Sequence, residues 1–90
     1  MLQTIWKYTF PKDQSEYEFS MPVGATILSV NVQYGFICLW ARVDPMGERE
    51  TRSFRLVGTG HPVGSTDAHL GTVLLYDGRL VIHVFERITS

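Results

Sequence analysis

The chain has 90 residues, 44% of them apolar and 19% charged, with a formal net charge of −1. About two thirds of the extended-chain surface can be buried at this length, which allows a single small core and excludes a second domain or a disordered chain. The near-zero charge supplies no field toward nucleic acid or anionic lipid, and the single cysteine, Cys38, excludes an intramolecular disulfide and a cysteine metal cluster.

The dominant period is two. Leu2, Thr4, Trp6, Tyr8 and Phe10 alternate with Gln3, Ile5, Lys7 and Thr9, which predicts a first strand ended by Pro11. After a Lys12-Asp13-Gln14 turn, Tyr17, Phe19 and Met21 alternate with Glu16, Glu18 and Ser20. This is a second strand, expected to form a hairpin with the first. Pro22-Val23-Gly24 ends it. Ala25 to Val43 is β-rich, with Leu28, Val30, Val32 and Tyr34 assigned to one face and Ile27, Ser29, Asn31 and Gln33 to the other. A tight turn at Tyr34-Gly35 divides it into two strands. Asp44-Pro45-Met46-Gly47 is the next turn. Glu50 to Val57 predicts an amphipathic strand, with Arg49 and Arg55 on one face and Arg52 on the other. Gly58 to Asp67 (GTGHPVGSTD) is the longest connection, with one or two turns of helix considered only over Ser65 to Leu70. Leu70 to Tyr76 and Arg79 to Arg87 flank Asp77-Gly78, a strong hairpin signal of type I′.

The N-terminal segment has no apolar stretch with a small-residue cleavage site, so it does not read as a signal peptide. The longest apolar run, Phe36 to Ala41, is far too short to span a membrane. A reducing cytoplasm is the expected location.

The last hairpin carries a prediction about assembly. A two-residue turn sets Leu75 opposite Leu80, Thr72 opposite His83 and Leu70 opposite Phe85, and opposed residues share a face. One face holds Val73, Leu75, Leu80, Ile82 and Val84. The other holds Leu70, Leu74, Val81 and Phe85 with Thr72, His83, Tyr76 and Arg79. Both are largely apolar, whereas a small sandwich normally wets one face of each sheet. The same chain covers the second face, through other strands or the long loop, or a second subunit does, or an apolar ligand does. For the second case Leu70, Leu74, Val81, His83, Phe85 and Trp6 are the candidate interface residues, in a homodimer or higher oligomer. His83 is otherwise a hydrogen-bonded packing residue; at an interface it would make assembly pH-sensitive. Trp40 is expected in the core, Trp6 is divided between core and interface, and Cys38 is expected buried and inert.

Several segments resemble a known family. They are Thr4-Ile5-Trp6-Lys7-Tyr8, Met21-Pro22-Val23-Gly24-Ala25, Ile27-Leu28-Ser29-Val30 and Cys38-Leu39-Trp40-Ala41 in the first half. Phe54 to Pro62 (FRLVGTGHP) and Val81-Ile82-His83-Val84-Phe85-Glu86 follow in the second. The pattern is similar to small domains of unknown function encoded mostly by tailed bacteriophages and prophages. The resemblance implies an accessory protein acting in the host-cell cytoplasm. It implies no catalytic residue, cofactor or substrate.

No constellation of residues demands chemistry. His61, Asp67 and His69, with His83, have the right types for a metal but no zinc-ligand spacing. Ser65, His61 and Asp67 have the types of a hydrolytic triad without rigid elements to hold them. The plain reading of the loop is a surface connection whose polar groups satisfy its own backbone. Its glycines and hydroxyls could also cradle an anion, although the pattern is neither a Walker loop nor a dinucleotide fingerprint. For a nucleotide-like ligand the candidate contacts are Arg52, Arg55, Gly58, Thr59, Gly60, His61, Ser65 and Thr66, since arginine forks suit phosphates. The plain reading of the arginines is a solvated strand face neutralised by Glu48 and Glu50. Glu16 and Glu18 read as protection of a sheet edge.

The sequence therefore predicts one all-β domain over residues 1–90, a small antiparallel sandwich or partly open barrel of six to seven strands. The Leu70–Arg87 hairpin and the Ala25–Val43 pair are expected at its centre. The expected function is non-enzymatic binding of a host protein, in host takeover or anti-defence. The alternative is an oligomer that sequesters a nucleotide-like signal at the Gly58–Asp67 loop and the subunit interface. No metal, cofactor, membrane or direct nucleic-acid contact is expected. A metal enzyme and a virion component are the remaining classes considered.

Overall fold

The computed structural model describes residues 2–88. These form seven strands: β1 (Thr4–Thr9), β2 (Glu16–Pro22), β3 (Thr26–Gln33), β4 (Phe36–Val43), β5 (Arg49–Gly58), β6 (Ala68–Leu75) and β7 (Leu80–Glu86). All pairings are antiparallel, in two sheets ordered β1-β4-β3 and β2-β5-β7-β6. Neither sheet closes on itself, so the architecture is a sandwich. There is no helix among the described residues, and none long and apolar enough to cross a membrane.

The inner faces follow from the period of two. Leu39, Ala41 and Val43 of β4 meet Phe54 of β5 and Val84 of β7, all fully buried, with Met21 and Phe10 closing the layer. Phe19 joins four rings at once, with centroids 5.2 Å from Tyr8, 5.1 Å from Phe10, 5.0 Å from Tyr17 and 5.7 Å from Phe54. Burial of each such side chain stabilises the fold by about 1.5–3 kcal/mol.

Two turns obey their local chemistry. Tyr34 and Gly35 have φ of +53° and +78°, as a two-residue hairpin turn between twisted strands requires. At the β6–β7 turn the left-handed stretch is longer, Tyr76, Asp77 and Gly78, with overlapping bonds from Gly78 N to Leu75 O and from Arg79 N to Tyr76 O, both 3.1 Å. The register from Leu75↔Leu80 to Gly71↔Val84 is the one the turn predicts.

Other expectations are corrected. β1 and β2 are not a hairpin: they lie in opposite sheets, β1 against β4 and β2 against β5. Their ladders part at the connection, where Phe10 N donates to Ile37 O and Leu56 N to Ser15 O. Stacking places their aromatic faces against each other rather than side by side in one layer. β3 and β6 are edges, so the centres are β4 and the β5–β7 pair rather than the two predicted hairpins. Ser65 to Leu70 contains no helix; β6 begins at Ala68.

Two bulges break the predicted alternation. Between Ile27 and Ser29 the register shifts, leaving Leu28 unpaired and 47% exposed while Ile27, Val30 and Val32 turn inward. Between His69 and Gly71 the same happens, so His69 rather than Leu70 opposes Phe85, and Leu70 packs against the core. Trp40, expected in the core, instead pairs with Lys7 and Ser29 on the outer face, and Trp6, divided between core and interface, packs inward with Arg49 5.1 Å above its ring. Cys38 lies on that outer face too and is only 1% exposed, its Sγ 3.5 Å from Thr9 Oγ1.

The sheets come closest where β3 crosses β6. A Cβ placed on Gly71 would overlap Val30 Cγ2, and a β-branched side chain has little freedom to withdraw. Gly71→Ala should destabilise the fold by about 1–3 kcal/mol, and Val30→Ala in the same chain should recover part of that loss. Urea unfolding of the two single variants and the double variant measures the coupling; strictly additive effects would show that the contact is not limiting.

Candidate functional site

β5 and β6 are each antiparallel to β7, and hence parallel to each other, with β7 between them. The connection from Gly58 to Ala68 must therefore travel back along the sheet. Its start is tied to the outer face by a 2.8 Å hydrogen bond between Thr59 Oγ1 and His83 Nε2. His61 N donates to Gly58 O, and the His61 ring lies over Gly58, 3.6 Å from where a side chain would begin. Asp67 N donates to Gly64 O, and the Asp67 carboxylate folds against the Gly64 backbone. Gly60, Ser65 and Thr66 are exposed. Val57, outside the inner cluster, is only 6% exposed on this outer face. The same chain thus contributes cover to the face around His83.

A chain of four side chains crosses that face. Thr59 bonds His83 Nε2; His83 Nδ1 bonds Thr72 Oγ1 at 2.9 Å; Thr72 Oγ1 bonds His69 Nε2 at 3.1 Å. A hydroxyl has one proton and two lone pairs, so Thr72 donates to at most one of the two histidines and accepts from the other or from both. Both nitrogens of His83 are engaged, which orients the ring and leaves it no lone pair for a metal or a substrate. His69 stacks at 5.2 Å from Phe85. Among the described residues, His61, Asp67, His69 and His83 do not gather as a metal-binding group.

The arginines are engaged elsewhere. Arg52 points into the sandwich, donating from Nε (2.6 Å) and Nη2 (2.8 Å) to the two oxygens of Glu86, and from Nη1 to Ala25 O. Its side chain is 17% exposed and that of Glu86 14%. The hydrogen bonds to Glu86 hold the Arg52 pKa above its ordinary value, against the opposing effect of burial. Arg52 stands six residues before Gly58 along β5, about 20 Å away at strand spacing. Arg55 lies 4.0 Å from Glu16, which also takes a 2.7 Å bond from Arg87 Nη1. Glu86 and Glu16 pair with the two predicted ligand contacts, the charge of Glu50 also favours the Arg52 cation, and the structure does not gather Arg52 with the Gly58–Asp67 loop.

Beyond the histidines the outer face turns apolar. Leu74 is 60% and Tyr76 72% exposed, beside half-buried Val81 and Phe85. At the turn end of the sandwich, the Phe10–Ser15 connection and Tyr76 flank a cleft of about 420 Å³ with Ile37, Leu56 and Ile82 in its lining. Lys12 stands at this end, its Nζ 4.5 Å above the Phe36 ring. The cleft is formed by four segments remote in sequence, and no local motif announces it. Tyr8, on the inner face, encloses its hydroxyl without a hydrogen-bond partner among the described residues, and this burial pushes its pKa up against the opposing pull of Arg49 and Arg52.

A family profile described as a domain of unknown function, DUF7352, matches residues 1–90. No curated protein and no solved structure matches the chain.

The engagement of these side chains makes two expectations. Arg52→Ala strands Glu86 and should cost about 2–4 kcal/mol of stability by denaturant unfolding, whereas Arg55→Ala should stay within about 0.5 kcal/mol of the parent. Thr59→Val should release the start of the crossover, costing about 1 kcal/mol and accelerating amide exchange from Gly60 to Asp67; unchanged exchange there would show that the loop is held by other contacts.

Proposed function

The chain belongs to the DUF7352 family, and from that footing we propose that it is a non-enzymatic accessory protein of phage or prophage origin, acting in the host cytoplasm by binding a host protein. The observation that carries the binding reading is the pair Leu74 and Val81 on the outer face of β6 and β7, with exposed Tyr76 in the adjoining turn. It sets large apolar side chains beside hydrogen-bonding groups, the mixed character of a protein–protein interface. Tyrosine at its rim adds an anchor with few rotatable bonds. The origin rests on the resemblance of the motifs from Thr4 to Glu86 to phage-encoded small domains.

A second reading, small-ligand binding, is favoured by the cleft beside Lys12, whose volume of about 420 Å³ lies within the range of small-molecule sites. The Gly58–Asp67 loop supports it less well, because Thr59 is engaged by His83 and Arg52 by Glu86.

The test is affinity capture from host lysate with the parent chain and with a Tyr76→Asn, Val81→Glu variant, asparagine being chosen because it tolerates the positive φ at position 76. One host protein retained in stoichiometric amount by the parent, and lost by the folded variant, is the expected result. Equal retention by both, or none by the parent, would sink the proposal.

A further inference from the structure

We propose that the free edge of β6 is a self-association site, at which a second copy of this chain adds its own β6 antiparallel to make one continuous eight-stranded sheet. The inference goes beyond the host-protein reading and does not depend on it: it concerns the backbone edge rather than the outer face, and it is tested with purified protein alone.

The two sheets present four edge strands, β1, β3, β2 and β6. An unpaired edge offers a row of N–H and C=O groups to any other strand, and edges that stay free carry a guard against it. β1 has Lys7 in its middle. β2 carries Glu16 and Glu18 and ends in Pro22, so a second β2 would meet it with like charges. β3 is bent by the bulge at Leu28, and Asn31 Oδ1 accepts from Val32 N–H at 2.8 Å, occupying a backbone donor with a side chain. β6 has a bulge at Leu70, which disrupts its first half only. Gly71 to Leu75 (GTVLL) is regular, carries no charge, and is hydrogen-bonded to β7 on one side alone.

That stretch is self-complementary. Opposed residues in an antiparallel pair share a face, so the two-fold axis must pass through a residue rather than between two. Centring it on Val73 uses the whole regular stretch: Val73 meets Val73 of the second copy, Thr72 meets Leu74, and Gly71 meets Leu75. Leu74, 60% exposed in the single chain, then lies against the second copy's Thr72, and the two apolar strips join across the axis. The total surface agrees in direction. The folded chain exposes 6009 Å², where a monomer of 10.2 kDa averages about 5,300 Å².

The experiment is a charge swap at the exposed position beside the axis. Leu74→Lys and Leu74→Glu are each purified, checked for an unchanged far-ultraviolet circular dichroism spectrum and cooperative urea unfolding, and compared with the parent by native mass spectrometry and light scattering, alone and as an equimolar mixture. The expected result is a dimeric parent. Each single variant should have a dissociation constant raised by about tenfold or more. The mixture should form a one-to-one heterodimer with the parent's affinity restored within a few fold. Amide exchange of the parent gives a readout that needs no variant: edge amides within Gly71–Leu75 should slow as protein concentration rises. A parent that stays monomeric overturns the proposal, as does a dimer equally tight in both variants. So does a dimer whose concentration-dependent protection falls on other strands.

Discussion

The passage from β5 to β6 over the top of β7 is the constraint from which the working parts of this domain follow. Because β5 and β6 are parallel, no tight turn can join them, and the chain must spend Thr59 to Asp67 returning along the sheet. That return lies where Thr59 can reach His83, which in turn fixes Thr72 and His69. It also leaves β6 at the margin, with Leu74 facing outward and Tyr76 exposed in the turn that follows. A glycine-rich composition suits the path: Gly58 accepts the His61 ring against its backbone, and Gly60 takes a φ of +87° that a side chain would resist. What reads locally as a phosphate-cradle composition is here the stitching of a crossover.

A second organising choice is the use of charge inside the sandwich. Arg52 and Glu86 sit on the inner faces of neighbouring strands and form a bidentate pair near one end, with the Ala25 carbonyl as a third partner. A guanidinium suits this position because its planar fork satisfies two oxygens of one carboxylate and still has a donor for the backbone. The arrangement closes the inter-sheet space where the apolar layer of Phe54 and Val84 ends. It also explains why an arginine with the type and strand position of a phosphate ligand is structural. Its partner stands 34 residues away, on a strand with which β5 pairs only after the crossover.

Much of the fold was legible because alternation is a local property. The strand runs, the Tyr34-Gly35 turn, the Asp44–Gly47 turn and the register of β6 with β7 down to Gly71 are all written in residues a few positions apart. What alternation cannot state is which strand lies beside which, and so β1 and β2 read as a hairpin although they pair in different sheets. Their shared aromatic pattern is equally consistent with lying side by side and with stacking. Bulges were the other blind spot. One extra residue at Leu28 or Leu70 reverses the facing of everything before it, and neither position carries the glycine that marks a G1 bulge. Of the candidate site, the involvement of His83, Thr72 and Leu74 in one outer face followed from the hairpin turn. The Thr59 bond to His83 and the cleft beside Lys12 did not, since both are made by segments that meet only in the folded chain.

The pairing of β1 with β4 and of β2 with β5 has a kinetic side. Only β3–β4 and β6–β7 can form as local hairpins; every other ladder joins segments separated by long loops whose closure entropy must be met before any contact rewards it. During synthesis the aromatic face of β2 waits uncovered until β5 has emerged, and the sheet that contains both is complete only when β7 follows. At ribosomal speeds of roughly 5–20 residues per second this is an interval of several seconds. Glu16 and Glu18, the first paired with Arg87 in the finished domain, stand on this waiting strand, where their charge keeps a nascent edge soluble.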